Sequence, residues 1–133
     1  MISLSDKEWQ KRLKPEQYKV LRQKDTEPPF SGKFDDFWRK GEYKCAGCGK
    51  TLFKSDYKYD AGCGWPSFWT AVNQAGIKLV PDNSYGMERT EVVCGNCNGH
   101  LGPLFDDGPK EHGGKRYCIN STALEFNLNK SDD

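Results

Sequence analysis

Six cysteines are the residues of this sequence best suited to chemistry, and their spacing divides them into two groups. Two of the six, Cys63 in DAGCGW and Cys118 in KRYCIN, stand outside any CxxC motif. The remaining four form two CxxC pairs, in CAGCGK and CGNCNGH: Cys45, Cys48, Cys94 and Cys97. A CxxC pair is typical of metal binding or thiol–disulfide exchange. An isolated cysteine is either a small buried hydrophobic residue or a reactive thiol, so the two groups need separate explanations.

The two CxxC pairs supply four thiolates, which suits a tetrahedral zinc ion without an open coordination position. Forty-five residues separate Cys48 from Cys94, more than in a compact zinc finger. The metal is therefore expected to join two separate hairpins. Redox-active CxxC motifs of the thioredoxin kind are the alternative, but those lie between a strand and a helix, and neither pair has that context. One structural zinc ion is predicted, which by itself would also fit a zinc-ribbon binding module without catalysis.

The two isolated cysteines have neighbours that favour chemistry. Gly62 and Gly64 flank Cys63, which gives its backbone freedom and its sulfur access. Arg116 precedes Cys118 by two residues, and a cation beside a thiol favours the thiolate by lowering its pKa from about 8.5. Cys118 and Cys63 could form the attacking and resolving pair of a thiol redox enzyme. Two unrelated buried thiols explain the same pattern equally well.

An aromatic cluster follows Cys63 directly, in the stretch GWPSFW, which contains Trp65, Phe68 and Trp69. Core packing is the ordinary explanation for such residues. A rigid aromatic wall beside an accessible cysteine could instead hold a methyl or thioether group, since sulfur contacts aromatic rings favourably.

The rest of the chain is expected to form one small domain, residues 1–133, that positions these side chains. Hydrophobic residues make up only 35% of the sequence, so a metal would usefully reinforce a modest core. Twenty basic and 19 acidic residues give a net charge of +1, and without a dense Lys/Arg stripe nucleic-acid binding is not expected. Neither a signal peptide nor an apolar run of ~18 residues is recognisable. We therefore expect a cytoplasmic monomer without membrane contact, with reduced thiols.

Helical signals are confined to an N-terminal segment of about residues 5–27. Ser5 and Glu8 match a capping box, which predicts a helix over residues 6–13. Pro15 suits the first turn of a second helix, and the two prolines of TEPPF end it.

Over about residues 28–128, short apolar runs alternate with glycine-rich turns, which is typical of an antiparallel sheet. The predicted strands are 42–44, 51–54, 77–80, 86–93 and 123–128, with a hairpin turn at PDNSYG and a flexible loop at DDGPKEHGGKR. NKSDD is expected to be a frayed tail. The predicted fold class is mainly β with short N-terminal helices.

Several motifs together resemble one family. GCGWPSF, CGNCNGHLG and RYCINS, with the two CxxC pairs and TEPPFSG upstream, are similar to the B-type peptide-methionine (R)-S-oxide reductases over about residues 5–128. The resemblance implies a zinc-stapled fold of two antiparallel β-sheets with small helices, the β-tent (Mss4-like) arrangement. It also implies that the substrate is methionine-R-sulfoxide, mainly in proteins, and that the activity repairs oxidative damage.

The resemblance also implies residue roles. The Cys118 thiolate would attack the sulfoxide sulfur and become a sulfenic acid. Cys63 would convert it to a Cys63–Cys118 disulfide, which thioredoxin would reduce. Trp65 and Phe68 would bind the apolar part of the substrate. The sulfoxide would be bound and polarised by four polar residues: His100, Asp107, Arg116 and Asn120. His100 and Asn120 would also take part in catalysis.

One position departs from the family pattern. The family has a second histidine three residues after the first, whereas HLGPLF has Pro103 there. Proline cannot donate a proton, so His100, a water molecule or His112 must protonate the sulfoxide oxygen. His112 lies in the loop before Cys118, where a solvent-facing side chain is the expectation.

Overall fold

Two short helices precede two antiparallel β-sheets in the computed structural model, which describes residues 4–82 and 89–128. Helix α1 is Asp6–Arg12 and helix α2 is Pro15–Gln23. The capping box is confirmed, because the Glu8 backbone N–H donates to the Ser5 hydroxyl and the Ser5 N–H donates to the Glu8 carboxylate. Neither helix is long and apolar enough to cross a membrane, and the same holds throughout the described ranges.

The smaller sheet has three strands in the order β2-β1-β9. Strand β1 is Gly41–Cys45, β2 is Thr51–Lys54 and β9 is Leu124–Leu128. Strands β1 and β2 form a hairpin, and β9 pairs along the other edge of β1. The β1–β2 turn carries the first CxxC pair.

The larger sheet has six strands in the order β3-β4-β8-β7-β6-β5. Their bounds are Lys58–Tyr59 for β3, Ser67–Phe68 for β4, Ile77–Asp82 for β5, Arg89–Cys94 for β6, His100–Phe105 for β7 and Arg116–Cys118 for β8. The β6–β7 connection carries the second CxxC pair. Short 3₁₀ turns occur at Ser55–Tyr57, Gln74–Gly76, Lys110–His112 and Ser121–Ala123.

Five of the observed strands agree with the prediction, namely β1, β2, β5, the described part of β6, and β9. Strands β3, β4, β7 and β8 were missed. β7 contains Gly102 and Pro103, which are both depleted in strand interiors, and the other three are only two or three residues long. Of the turn predicted at PDNSYG, residues 81–86, Pro81 and Asp82 instead belong to the end of β5, and residues 83–86 lie outside the described residues. The predicted tail at 129–133 lies outside them as well.

An aromatic cluster packs the two sheets together. Phe68 of β4 stacks on Phe53 of β2, with ring centroids 4.5 Å apart, and meets Tyr43 of β1 edge-on at 5.1 Å. All three side chains are fully buried, and burying each contributes about 1.5–3 kcal/mol. The cluster therefore anchors β4, and with it the neighbouring end of β8, to the smaller sheet.

Candidate active site

The four CxxC cysteines converge where two hairpins end. Cys45 is the last residue of β1 and Cys94 is the last residue of β6, while Cys48 and Cys97 lie in the turns that follow. All four Sγ atoms lie within 4.8 Å of one another, and the Cys45–Cys97 and Cys48–Cys94 distances are 3.6 Å. Sulfurs on a tetrahedral zinc ion, with bonds of ~2.3 Å, stand about 3.8 Å apart. The geometry thus fits zinc and the predicted joining of two hairpins.

Four sulfurs this close need a positive counter-charge. Hydrogen bonding with Cys48, then with the other two sulfurs, and burial raise the pKa of Cys45 far above its ordinary value. Without a cation Cys45 would therefore keep its proton, whereas hydrogen bonding with Cys45 lowers the pKa of Cys48 and of Cys94. A divalent metal ion removes this conflict, because it binds thiolates and replaces their protons.

Cys63 and Cys118 lie side by side although they are 55 positions apart in the sequence, with their Sγ atoms 3.2 Å from each other. Both are free thiols. Cys118 ends β8, where it pairs with Ser67 of β4, and the Ser67 hydroxyl is 3.2 Å from the Cys63 sulfur. Sheet pairing thus holds Cys118 while the loop before β4 brings Cys63 to it. Two thiols in contact can form a disulfide with little movement.

Two glycines allow the backbone to close around this pair. Gly64 has φ +93°, and a Cβ there would lie 2.6 Å from the Pro29 side chain. Its carbonyl accepts a hydrogen bond from the Phe30 N–H at 2.7 Å. A Cβ on Gly102 would lie 2.2 Å from the Cys118 carbonyl oxygen. Glycine is therefore required at both positions because neighbouring atoms pack against the backbone there. The sequence had suggested only that glycine beside Cys63 makes the backbone mobile.

The two thiols of the resting pair differ in acidity. Burial, then the neighbouring Cys63, raises the pKa of Cys118 to about 12, and the Arg116 charge opposes this only in part. Burial also acts to raise the pKa of Cys63, but hydrogen bonds from Ser67 and Cys118 outweigh it and lower that pKa. Arg116 thus acts on the pKa of Cys118 in the expected direction, but burial and the contact with Cys63 outweigh it, so that pKa lies above its ordinary value.

A cleft of about 670 Å³ opens beside the two thiols. Trp65 and Phe105 are the aromatic residues of its lining, and the Trp65 indole N–H donates to the Glu27 carbonyl at 3.0 Å. Glu27 belongs to residues 26–31, here called the N-terminal strap. Six of the predicted site residues line the cleft: Cys63, Trp65, His100, Arg116, Cys118 and Asn120.

Arg116 and Asn120 are both held by specific contacts. The Arg116 guanidinium donates from Nε to Asp107 at 2.8 Å and lies over the Phe105 ring at 4.2 Å. The Asn120 side chain is only 1% exposed. Its oxygen accepts from the Glu27 N–H and its nitrogen donates to the Leu101 carbonyl, both at 3.0 Å. Asn120 therefore ties the N-terminal strap to β7 beneath the cleft.

His100 has a partner that sequence analysis missed. Its Nδ1 atom lies 2.6 Å from a carboxylate oxygen of Glu91, and the other oxygen of Glu91 lies 3.4 Å from the Lys24 amine. Glu91 is only 6% exposed. A glutamate directly before the two valines of a predicted strand, in TEVV, was the available signal.

A β-bulge explains how residues 100 and 103 both reach the cleft. Val93 pairs with His100 and Val92 pairs with Gly102, so Leu101 is an extra residue in β7. In a regular strand, residues three apart point to opposite faces, and an inserted residue reverses this. His100 and Pro103 accordingly both line the cleft.

A model of the SelR domain matches residues 13–128 of the chain. The chain belongs to the SelR family. Proteins named "Peptide methionine sulfoxide reductase MsrB" are similar to it over nearly their full length. The one from Leptospira interrogans is 51% identical, covering 94% of this chain and 95% of the relative. The one from Methanosarcina barkeri is 53% identical, covering 94% and 87%. One from Acinetobacter baumannii is 46% identical, covering 99% and 94%. These matches confirm the resemblance to the B-type reductases.

Within this SelR domain, the structure corrects one predicted substrate contact. Phe68 is fully buried and stacks on Phe53 in the core, and it is not among the described residues that line the cleft. In β4 it pairs with Tyr117, whereas its neighbour Ser67 pairs with Cys118. Successive strand residues face opposite sides, so Ser67 faces the thiols and Phe68 faces the core.

Two further predicted residues lie beside the cleft without lining it. The Asp107 side chain is 68% exposed and approaches the site through its ion pair with Arg116. His112 is exposed in the turn Lys110–His112, and its ring stacks on Trp69 with centroids 4.1 Å apart. Of the two histidines in the sequence, His100 is thus the one that lines the cleft with the two thiols.

Proposed function

We propose that this chain reduces methionine-R-sulfoxide, mainly in proteins, through attack of Cys118 on the sulfoxide sulfur. The observation that carries the proposal is the contact between Cys118 and Cys63, 3.2 Å apart beside a cleft with an aromatic and a polar side. Membership of the SelR family supports it. So do the names of the relatives, which are methionine sulfoxide reductases.

The substrate is held between the two sides of the cleft. Trp65, which its bond to Glu27 keeps in place, contacts the methyl group of the substrate, since sulfur and its substituents pack well on aromatic rings. Arg116, oriented by Asp107, binds the negatively polarised oxygen through its N–H groups. Asn120 keeps the N-terminal strap and β7 together under the reacting atoms.

The first step forms a sulfenic acid. Cys118 gives up its proton to solvent in the cleft, and the resulting Cys118 thiolate attacks the sulfoxide sulfur. His100 protonates the sulfoxide oxygen, which weakens the S–O bond and allows oxygen transfer. Methionine leaves, and Cys118 retains the oxygen as a sulfenic acid.

The second step forms a disulfide. The Cys63 sulfur attacks the sulfenic sulfur of Cys118, and the hydroxyl leaves as water after it is protonated. One sulfoxide and two thiols thus become one thioether, one disulfide and one water molecule. Thioredoxin then reduces the Cys63–Cys118 disulfide by thiol exchange. This cycle needs reduced thiols, which supports a cytoplasmic location.

The metal has a structural role in this proposal. The four CxxC cysteines would hold one zinc ion, which would crosslink the β1–β2 and β6–β7 hairpins, and four thiolate ligands would leave no coordination position for a substrate. The cleft residues carry out the reaction without it. The chain works as a monomer and as a single catalytic domain, with its helical segment packed on the zinc-stapled core.

Intact mass measured after the reduced protein is mixed with methionine-R-sulfoxide tests the reaction. We expect the protein to lose two hydrogens as the disulfide forms, and to keep its mass with the S epimer. An unchanged mass with both epimers would reject the reductase proposal and favour a zinc-ribbon binding module. Equal loss with both epimers would reject the stereochemistry.

A further inference from the structure

We propose that Glu91 is a positioning residue for this reaction, which sets the orientation and the protonated nitrogen of His100. The inference rests on the proposed role of His100 as proton donor. It concerns a residue that takes no part in the steps described above. Glu91 would act through His100 and would not contact the substrate.

The contact itself defines what Glu91 can do. Its Oε2 lies 2.6 Å from His100 Nδ1, and the two side chains are only 6% and 13% exposed. An ionised carboxylate can only accept hydrogen bonds, so Nδ1 must carry a proton. The other ring nitrogen, Nε2, is then the one available to exchange a proton with the substrate oxygen. A carboxylate in this position also stabilises an imidazole that carries a second proton, as in hydrolase triads.

Lys24 holds the other oxygen of Glu91. It follows helix α2 directly and adopts a left-handed conformation with φ +58°, where glycine or asparagine is usual. Its amine lies 3.4 Å from Glu91 Oε1, and its side chain is 70% exposed. Each oxygen of the buried carboxylate thus has one partner, which a buried charge requires. Because solvent screens the charge of Lys24, its contact with Glu91 is expected to stabilise the carboxylate less than the contact with His100 does.

The strand register places Glu91 opposite a residue whose side chain cannot compete with His100 for its carboxylate. Glu91 pairs with Pro103 across β6 and β7, and both line the cleft. The Pro103 side chain has no hydrogen-bonding group. Among the described residues, the Glu91 carboxylate therefore contacts Lys24 and His100. With proline at the position of a second histidine, His100 is the imidazole that this carboxylate can orient.

A double-mutant cycle tests the coupling. Single-turnover rates of methionine-R-sulfoxide reduction would be measured for the unmodified protein, Glu91→Gln, His100→Ala and the double variant. Glutamine keeps the shape but removes the charge, so we expect Glu91→Gln to be slower by at least about tenfold. In the His100→Ala background the same change should have almost no effect. Equal losses in both backgrounds would overturn the proposal, because Glu91 would then act independently of His100.

Two controls separate this role from a structural one. Glu125→Gln removes an exposed glutamate of β9 and should leave the rate unchanged. Lys24→Met should slow the reaction less than Glu91→Gln does, because Lys24 acts only on the carboxylate. A larger loss in Lys24→Met would contradict the assignment, since Lys24 would then be the important contact.

A measurement on the unmodified protein remains decisive if Glu91→Gln does not fold. The chain has two histidines, so His112→Ala identifies their signals in ¹H–¹⁵N NMR spectra of the side chains. The neutral His100 ring is expected to carry its proton on Nδ1, and a ring with the proton on Nε2 would overturn the proposal. This readout is independent of activity. A chain that does not reduce the sulfoxide would refute the proposed function separately.

Discussion

The cysteine cluster and the cysteine pair use the same side chain in two surroundings with opposite consequences. In the cluster, four sulfurs lie within 4.8 Å of one another and three of the four residues are buried. In the pair, two sulfurs lie 3.2 Å apart and both line a cleft. Four sulfurs can complete the coordination of a metal ion and exclude substrate. Two sulfurs can exchange a proton and form one disulfide. The number of neighbouring sulfurs and their access decide the chemistry.

The two regions also differ in how they are held. The cluster lies in the turns of two hairpins, β1–β2 and β6–β7, so each half is defined by local chain geometry. The pair combines the end of β8 with a loop held by the N-terminal strap through the Phe30–Gly64 hydrogen bond. A metal site made by the cluster would thus assemble from two local units, whereas the cysteine pair depends on several distant contacts.

The sharpest test of the difference is inside the pair. Cys118→Ser should abolish sulfoxide reduction completely, because the attacking sulfur is gone. Cys63→Ser should reduce about one equivalent of substrate and then stop with thioredoxin, because the sulfenic acid has no resolving partner. Rapid mixing with one equivalent, followed by steady-state assays, measures both. Sustained turnover by Cys63→Ser would show that another route regenerates Cys118.

The next test compares a substitution in the cysteine cluster with one in the cysteine pair. Cys45→Ser should lose the metal and lower the free energy of unfolding by about 4 kcal/mol or more, as loss of a structural metal does. Elemental analysis and denaturant unfolding measure the two effects. Cys63→Ser is the matched control, since it removes a thiol outside the cluster and should keep about one zinc ion per chain. Fully active protein without metal would contradict the prediction that the cluster binds a structural metal ion.

A smaller effect is expected at the histidines. His100→Ala should slow the single-turnover oxidation of Cys118 by at least about tenfold, since one positioned general acid typically contributes about 10²–10⁴ in rate. His112→Ala should change it little, because its ring stacks on Trp69 outside the cleft. Pro103→His should leave the rate unchanged or raise it. A large loss in His112→Ala with none in His100→Ala would reverse the assignment of the proton donor.

Two of the three aromatic residues that follow Cys63 show where sequence reasoning reached its limit. Trp65 and Phe68 were both predicted to contact the substrate, yet only Trp65 lines the cleft. The difference arises from β4, a strand of two residues that is too short to show alternation in the sequence. Its pairing with β8 turns Phe68 towards Phe53 and Tyr43 in the other sheet. A contact partner 15 or more residues away leaves no mark on the local pattern.

The sequence by itself determined the features that depend on near neighbours. The capping box of α1, the two CxxC pairs and five strands follow from spacings of a few residues, because local geometry and side-chain type settle them. The motifs around Cys63 and Cys118 likewise identified the family.

Only the tertiary structure decided in which direction the pKa of each paired thiol shifts and which carboxylate meets His100. Burial and the contact with Cys63 raise the pKa of Cys118, although Arg116 adjoins it in sequence. Glu91 reaches His100 because a bulge in β7 turns that residue to the face shared with β6. Desolvation and hydrogen bonding depend on which atoms surround a group. Long-range strand pairing determines those surroundings, and the spacing of residues along the chain does not reveal which strands pair.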